Sequence, residues 1–169
     1  ARLWTKAAPE NLPIASCGGK NNKQWRIIGA LNAITGQVSY LDNYSVGRAK
    51  VIEMYQLLLE TYSHTQKIFV VQDNWSIHKH PDVCAALSDM PKIEPVWLPT
   101  YAPWLNPIEK LWRWLRESVL KMHRFGSKWV ELHTRVNQFL SQFASGSTEL
   151  LRYVGLHGDS KLALACKQN

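Results

Sequence analysis

Hydrophobic residues in the first half of the chain change from strand-like to helix-like spacing. Two short β-prone runs, 25–31 and 37–41, flank a turn-forming stretch that ends at Gly36, which predicts a β-hairpin. Between about residues 46 and 62, apolar side chains recur every three or four positions, which predicts an amphipathic helix. Residues 1–22 are rich in Pro, Gly, Asn and Lys and predict an irregular lead-in that continues an upstream segment.

The second half alternates short apolar runs with helical patterns. Residues 67–72 form a compact apolar run that predicts a strand buried on both faces. A short helix is expected at 82–87, and a second strand at 93–98, where Pro95 indicates an edge position. The proline-rich stretch 99–104 predicts no regular structure.

Two more helices are expected towards the end of the chain. Asn106 and Pro107 are a typical helix start, with Asn as the cap and Pro in the first turn. The buried stripe of this helix is predicted to contain Ile108, Leu111, Trp112, Leu115 and Val119. A last helix is expected at 127–143. The order of elements predicts an α/β fold with a mixed sheet flanked by helices, divided into a main domain at 1–145 and a tail at 146–169.

Composition narrows the partners of this domain. The formal net charge of +7 favours a polyanionic partner, because Lys and Arg that neutralise phosphates release condensed counterions. No apolar run approaches the roughly 18 residues that a membrane span needs, so we expect a soluble, cytoplasmic protein with no membrane partner.

Two acidic residues occupy positions where strand-end chemistry is usually built. Asp73 follows the most hydrophobic strand, and Glu109 lies in the first turn of the helix after the next strand. Two carboxylates in one cleft repel each other unless a cation lies between them, and a hard divalent ion is the common solution. Each acid also has a structural interpretation: Asp73 can start an Asx-turn, and Glu109 can complete a capping box with Asn106.

The sequence around each acid indicates a protein family more specifically than the position of the acid does. Residues 70–79 read Val-Val-Gln-Asp-Asn-Trp-Ser-Ile-His-Lys, and residues 98–112 read Leu-Pro-Thr-Tyr-Ala-Pro-Trp-Leu-Asn-Pro-Ile-Glu-Lys-Leu-Trp. These segments resemble the second and third acidic motifs of DDE-type transposases, in the branch of mariner-like elements and bacterial insertion sequences. The separation of Asp73 from Glu109 lies within the narrow spacing of that branch.

The resemblance implies a ribonuclease H-like fold in which three carboxylates hold two Mg²⁺ or Mn²⁺ ions. Asp73 and Glu109 would be the second and third of these catalytic, metal-binding acids. The implied activity is metal-dependent cleavage and strand transfer of double-stranded DNA, at transposon ends and target. A homodimer in the nucleoid of a bacterial host is the implied setting.

The same resemblance implies an incomplete domain. Residues 2–7 are similar to the text that follows the first acid, so the first strand and its Asp are expected upstream of Ala1. Glu10 and Asp42 do not match the motif. The chain alone is therefore expected to be inactive, and the alternative function is a catalytically inactive DNA-binding or assembly remnant.

Several neighbours of the acids are candidate site residues. Asn74, His78 and Asn106 are expected to support the acids, although Asn106 can equally be a plain helix cap. The predicted DNA-binding residues are Lys110, Arg113, Arg116 and Lys121. A surface pair between Glu109 and Arg113 is the alternative for that arginine. Trp75 and Trp104 lie in predicted loops, where their rings could stack on an unpaired base.

Overall fold

A computed structural model of the chain describes residues 25–100, 102–121 and 128–156. The strands are β1 Arg26–Leu31, β2 Val38–Asn43, β3 Ile68–Gln72 and β4 Ile93–Trp97. The α-helices are α1 Arg48–Thr61, α2 Pro81–Ser88, α3 Ile108–Leu115, α4 Trp129–Ser141 and α5 Thr148–Val154. Short 3₁₀ turns occupy Ser76–Lys79 and Pro103–Leu105, and a π-helical turn at Arg116–Leu120 continues α3.

The strands form two separate pairs in the part of the chain that the structure describes. β1 and β2 form an antiparallel hairpin whose register places Arg26 opposite Asn43. The hairpin turn needs Gly36, because its φ is +73° and a Cβ there would lie 2.2 Å from the carbonyl oxygen of Ser147. β3 and β4 are parallel, with Ile68 opposite Ile93, and α2 lies in the crossover between them.

One hydrophobic cluster joins the two strand pairs through α1. Its buried members are Val51, Met54, Tyr55, Leu58, Val83, Met90 and Ile93. Ile28, Ala30 and Leu41 of the hairpin pack against this cluster, and so do Ile68 and Val70 of β3. The two small sheets therefore rest on the same helical layer although they share no strand.

A second cluster covers the opposite face of the hairpin. It combines buried residues of α3, α4 and α5, including the fully buried Leu111, Leu140 and Leu150. Close approach of α3 to β1 depends on Gly29, because a Cβ there would lie 2.8 Å from the Trp112 ring. The glycine thus lets the indole lie directly on the strand.

The structure confirms the α/β class, the hairpin, and the order of helices and strands predicted up to α4. The single mixed sheet is not observed in the described residues, which contain one antiparallel and one parallel pair instead. The prediction that β3 is buried on both faces is wrong: Phe69 and Val71 are 62% and 48% exposed. Both side chains lie on the face turned away from α1, which no described element covers.

Three local predictions have clear outcomes. β4 pairs with β3 alone among the described strands, which agrees with the edge position indicated by Pro95. The Asn106 side chain accepts a hydrogen bond from the Ile108 N–H at 3.4 Å, in agreement with its predicted capping role. Of the predicted stripe, Ile108, Leu111 and Leu115 are buried, and Trp112 and Val119 are partly buried.

Sequence patterning does not predict α5, which lies inside the segment expected to be a tail. Its Leu150, Leu151 and Val154 are buried, and the helix ends at Gly155 with a φ of +85°. Residues 1–22, including the text at 2–7, lie outside the described residues, as do 157–169. Among the helices in the described ranges, none is both long enough and apolar enough to cross a membrane.

Candidate active site

Asp73 directly follows β3 at the carboxyl end of the parallel strand pair. Alternation along the strand places it on the same side as Phe69 and Val71, which is the uncovered face of this pair. Its Oδ1 accepts a hydrogen bond from the Trp75 N–H at 3.1 Å. This Asx-turn fixes the backbone and leaves the second carboxylate oxygen, Oδ2, available to a ligand.

Glu109 belongs to a different element, yet it responds to the charge of Asp73. Its backbone N–H donates to the Asn106 carbonyl at 3.1 Å, which holds it in the first turn of α3. Partial burial raises the pKa of the Glu109 carboxyl, the negative charge of Asp73 raises it further, and Arg116 lowers it. The charge of Asp73 is thus felt at Glu109, and a shared site for the two carboxyls stays a prediction.

His78 contacts Asp73 from a largely buried position. Its Nε2 lies 3.7 Å from the Asp73 Oδ1, and its side chain is only 12% exposed. Burial lowers the pKa of His78, and the nearby Asp73 charge partly opposes this shift. The other ring nitrogen, Nδ1, is buried and has no hydrogen-bond partner among the described residues.

Asn74 ties together the segments that follow the two parallel strands. Its Nδ2 donates to the Leu98 carbonyl at 2.5 Å, and the Leu98 N–H donates to the Gln72 carbonyl at 2.9 Å. These bonds fix the chain on both sides of Asp73. Asn74 therefore supports the acid through the backbone.

The four basic residues predicted to bind DNA differ in their surroundings. Arg116 lowers the pKa of the Glu109 carboxyl. Arg116 is also the first residue of the π-helical turn, in which the Lys121 N–H donates to the Arg116 carbonyl at 2.7 Å. Arg113 and Lys121 are exposed. The Lys110 Nζ donates to the Val154 carbonyl at 2.8 Å, so this ammonium caps the end of α5.

The donor set of the two acids suits a hard divalent cation, because carboxylate oxygens are the ligands that Mg²⁺ and Mn²⁺ prefer. Within residues 25–100, 102–121 and 128–156, no cluster of three or more His, Cys, Asp or Glu side chains is arranged to hold a metal ion.

Sequence reasoning missed several residues next to the acids. Trp97 ends β4 directly opposite Gln72, and the Lys79 Nζ lies 5.2 Å from the centre of its ring. Gln72 is buried and accepts a hydrogen bond from the Tyr55 hydroxyl at 2.7 Å. The register of β3 and β4 places the ends of the two strands side by side. Knowledge of that register would have identified Trp97 as a neighbour of Asp73.

Comparison with known proteins identifies the family of the chain. Residues 10–129 match the family described as DDE superfamily endonuclease, a segment that contains both acidic motifs. The chain therefore belongs to the DDE superfamily of endonucleases, which generally use divalent metal ions. This confirms the resemblance drawn from the two motifs.

A bacterial relative supports the insertion-sequence branch. The chain is 31% identical over 134 residues to a Shigella sonnei protein named "Insertion element IS630 uncharacterized 39 kDa protein". The match covers 78% of this chain and 39% of that relative, so the chain spans well under half of the relative's length. No solved structure matches the chain.

Proposed function

We propose that the chain is part of the catalytic domain of an insertion-sequence transposase that cuts DNA strands and joins them to a target. The observation that carries this proposal is the position of Asp73 directly after a parallel strand pair, at the strand end where α/β folds place their ligand sites. The charge of Asp73 also raises the pKa of Glu109, the acid of the second motif. Membership of the DDE family and the insertion-element relative support the same function.

A third carboxylate would come from a further strand between β1 and β3. The hairpin and β3 pack on the same helix, α1, yet β1 pairs only with β2 and β3 pairs only with β4 among the described strands. A strand edge that no described strand covers favours pairing with an added strand, and each of the two pairs has such an edge among the described strands. Such a strand would complete the mixed ribonuclease H-like sheet and bring its acid beside Asp73.

The residues of this chain would act mainly by positioning. Asp73 and Glu109 would hold Mg²⁺ or Mn²⁺, which lowers the pKa of an attacking water or 3′-hydroxyl and stabilises the leaving 3′-oxygen. The Asx-turn and the Asn74 bond to Leu98 keep Asp73 at the strand end. The His78 ring lies beside the Asp73 Oδ1 and limits the rotation of that carboxylate. Asn106 caps the helix that carries Glu109.

Duplex DNA would approach along the exposed side of α3. Arg113, Arg116 and Lys121 are solvent-exposed on this segment, and the net charge of +7 favours phosphate contacts. Lys110 binds the end of α5, so its predicted DNA contact would require that bond to open. Holding two transposon ends together implies a homodimer in the active protein.

A nicking assay on supercoiled DNA tests the proposal, using the 169-residue chain and a longer product extended by the preceding reading frame. We expect Mg²⁺-dependent nicking by the longer product only, and loss of that nicking in Asp73→Asn and Glu109→Gln. Asp82→Asn, at an exposed acid on α2, is the matched control and should nick normally. Nicking that survives both active-site substitutions would overturn the assignment of the acids.

The second candidate function is a catalytically inactive DNA-binding or assembly remnant. It is favoured by the observation that the described residues contain no cluster of three or more His, Cys, Asp or Glu side chains arranged to hold a metal ion. A longer product that binds DNA but never nicks it, with either Mg²⁺ or Mn²⁺, would support this alternative.

A further inference from the structure

Two tryptophans at the strand ends beside Asp73 expose their rings to solvent. Trp75 and Trp97 are 42% and 41% exposed, although folded proteins bury most of their tryptophan surface. Trp75 follows Asp73 by two residues and donates its backbone N–H to that carboxylate. Trp97 lies opposite Gln72, the residue before Asp73. Exposed aromatic surface is thus concentrated next to the proposed reacting centre.

His78 orders both rings from within the protein. Its ring lies 5.6 Å from the Trp75 ring at an interplanar angle of 83°, and 6.4 Å from the Trp97 ring at 63°. Contacts near perpendicular hold an aromatic ring in place without a parallel partner stacking on it. Both indoles are therefore oriented and still accessible, which lowers the entropic cost of binding a flat ligand.

A positive charge lies against this aromatic surface. The Lys79 Nζ is 5.2 Å from the centre of the Trp97 ring, within cation–π distance, and Lys79 is exposed. Aromatic rings that stack on bases, next to cations that follow the backbone, are the combination that binds single-stranded nucleic acid. A protein partner is less favoured, because the chain carries a net charge of +7 and these rings adjoin the acids proposed to act on DNA.

We propose that Trp75 and Trp97, with Lys79, form a stacking platform for unpaired bases of a DNA strand next to the cleavage site. Bases inside a duplex are stacked on their neighbours, so the platform selects frayed or overhanging ends. The inference rests on the proposed function and adds the form of DNA that the site takes. It also adds Trp97 and Lys79 to the residues that contact substrate.

Binding measurements with three labelled DNAs test this platform without requiring catalysis. The DNAs are a blunt duplex, the same duplex with a short 3′ single-stranded overhang, and the same duplex with an abasic overhang. The full chain is titrated into each DNA in the presence of a chelator. The abasic overhang keeps the phosphates and removes the bases, so it separates stacking from charge.

We expect the chain to bind the overhang with bases more tightly than either other DNA. Trp97→Ala and Trp75→Ala should each weaken that complex by roughly 5- to 150-fold, the effect of losing one stacked base, and leave the other two complexes unchanged. Trp97→Phe should retain most of the preference, because it keeps an aromatic face. Tyr153→Ala is the control, since Tyr153 is 42% exposed but packs on Trp114 of the other core cluster.

Two results would overturn the inference and leave the proposed function intact. The chain could bind the two overhangs equally well, or Trp97→Ala could weaken all three complexes to the same degree, which would assign the rings a structural role. Absence of binding to all three DNAs would also overturn this inference, whereas the proposed function is decided by the nicking assay on the longer product.

Discussion

The hairpin and the parallel strand pair are both two-stranded, but they differ in how their faces are covered. Ile28 and Leu41 of the hairpin pack on the α1 cluster, and its opposite face packs on α3, α4 and α5. The β3–β4 pair packs on α1 and α2 through one face only. On its other face Phe69, Val71 and Val96 are exposed.

This difference separates the stabilising part of the described fold from the part that carries the candidate acid Asp73. A strand pair covered on both sides contributes apolar burial, which is the main favourable term in folding. The half-covered pair instead presents Asp73 at its open face, and the charge of Asp73 raises the pKa of Glu109 on α3. Apolar side chains on that face indicate that another element belongs there, since large exposed apolar patches usually mark an interaction surface.

The largest expected effect contrasts the two regions by their stability. Leu140→Ala removes a fully buried side chain from the cluster on the hairpin, and we expect it to lower the free energy of unfolding by about 2–5 kcal/mol. Phe69→Ala on the open face should change it by no more than about 0.5 kcal/mol. Urea denaturation followed by circular dichroism measures both.

The same pair of variants in the longer product sharpens the comparison. If an additional strand and its neighbours cover the open face there, Phe69→Ala becomes a core substitution and should cost about 3–5 kcal/mol. Equal, small effects of Phe69→Ala in both products would show that the open face stays open. This result would leave the proposed edge strand untouched, because a strand added at an edge covers no face.

Sequence patterns predicted most local elements because each pattern reflects a local cause. Pro95 has no backbone N–H to donate, so an edge position follows directly from its chemistry. Asn106 caps α3 because its side-chain oxygen reaches the N–H two residues ahead. The family was predictable from the motifs around Asp73 and Glu109, whereas the roles of the two acids stay predictions.

The remaining features depend on which segments meet, and periodicity does not contain that information. The apolar run at β3 predicts burial on both faces, but burial needs a partner element, and none of the described ones covers Phe69. Lys110 carries the same charge as its neighbours, and only the position of α5 reveals that it caps a helix. Likewise, Trp97 reaches the site through strand register.

An intermediate effect is expected for DNA binding along α3, the helix that links the two regions. Substituting both Arg113 and Arg116 by Ala should flatten the log–log dependence of affinity on salt by up to about two units, because each arginine would contact one phosphate. Titrations at several salt concentrations measure the slope. Arg152→Ala, on α5, is the control and should leave it unchanged. An unchanged slope in the double variant would assign both arginines to the ordinary protein surface.

The smallest expected effect concerns the stability contributed by Glu109 in the presence of a chelator. Its pKa in the folded chain is raised by partial burial and by Asp73, so the folded state binds this proton more tightly than the unfolded state. The stability that this proton contributes is therefore fully present below the unfolded pKa of about 4.5 and falls as pH rises through the folded pKa.

Glu109→Gln removes that ionisation and should stabilise the chain at neutral pH by less than about 1 kcal/mol, since solvent screens the carboxylate. Thermal melts between pH 3.5 and 7.5 should show the advantage vanish at the acidic end. A variant less stable than the parent at neutral pH would mean that the attraction between Glu109 and Arg116 outweighs both the burial of the carboxyl and its repulsion from Asp73.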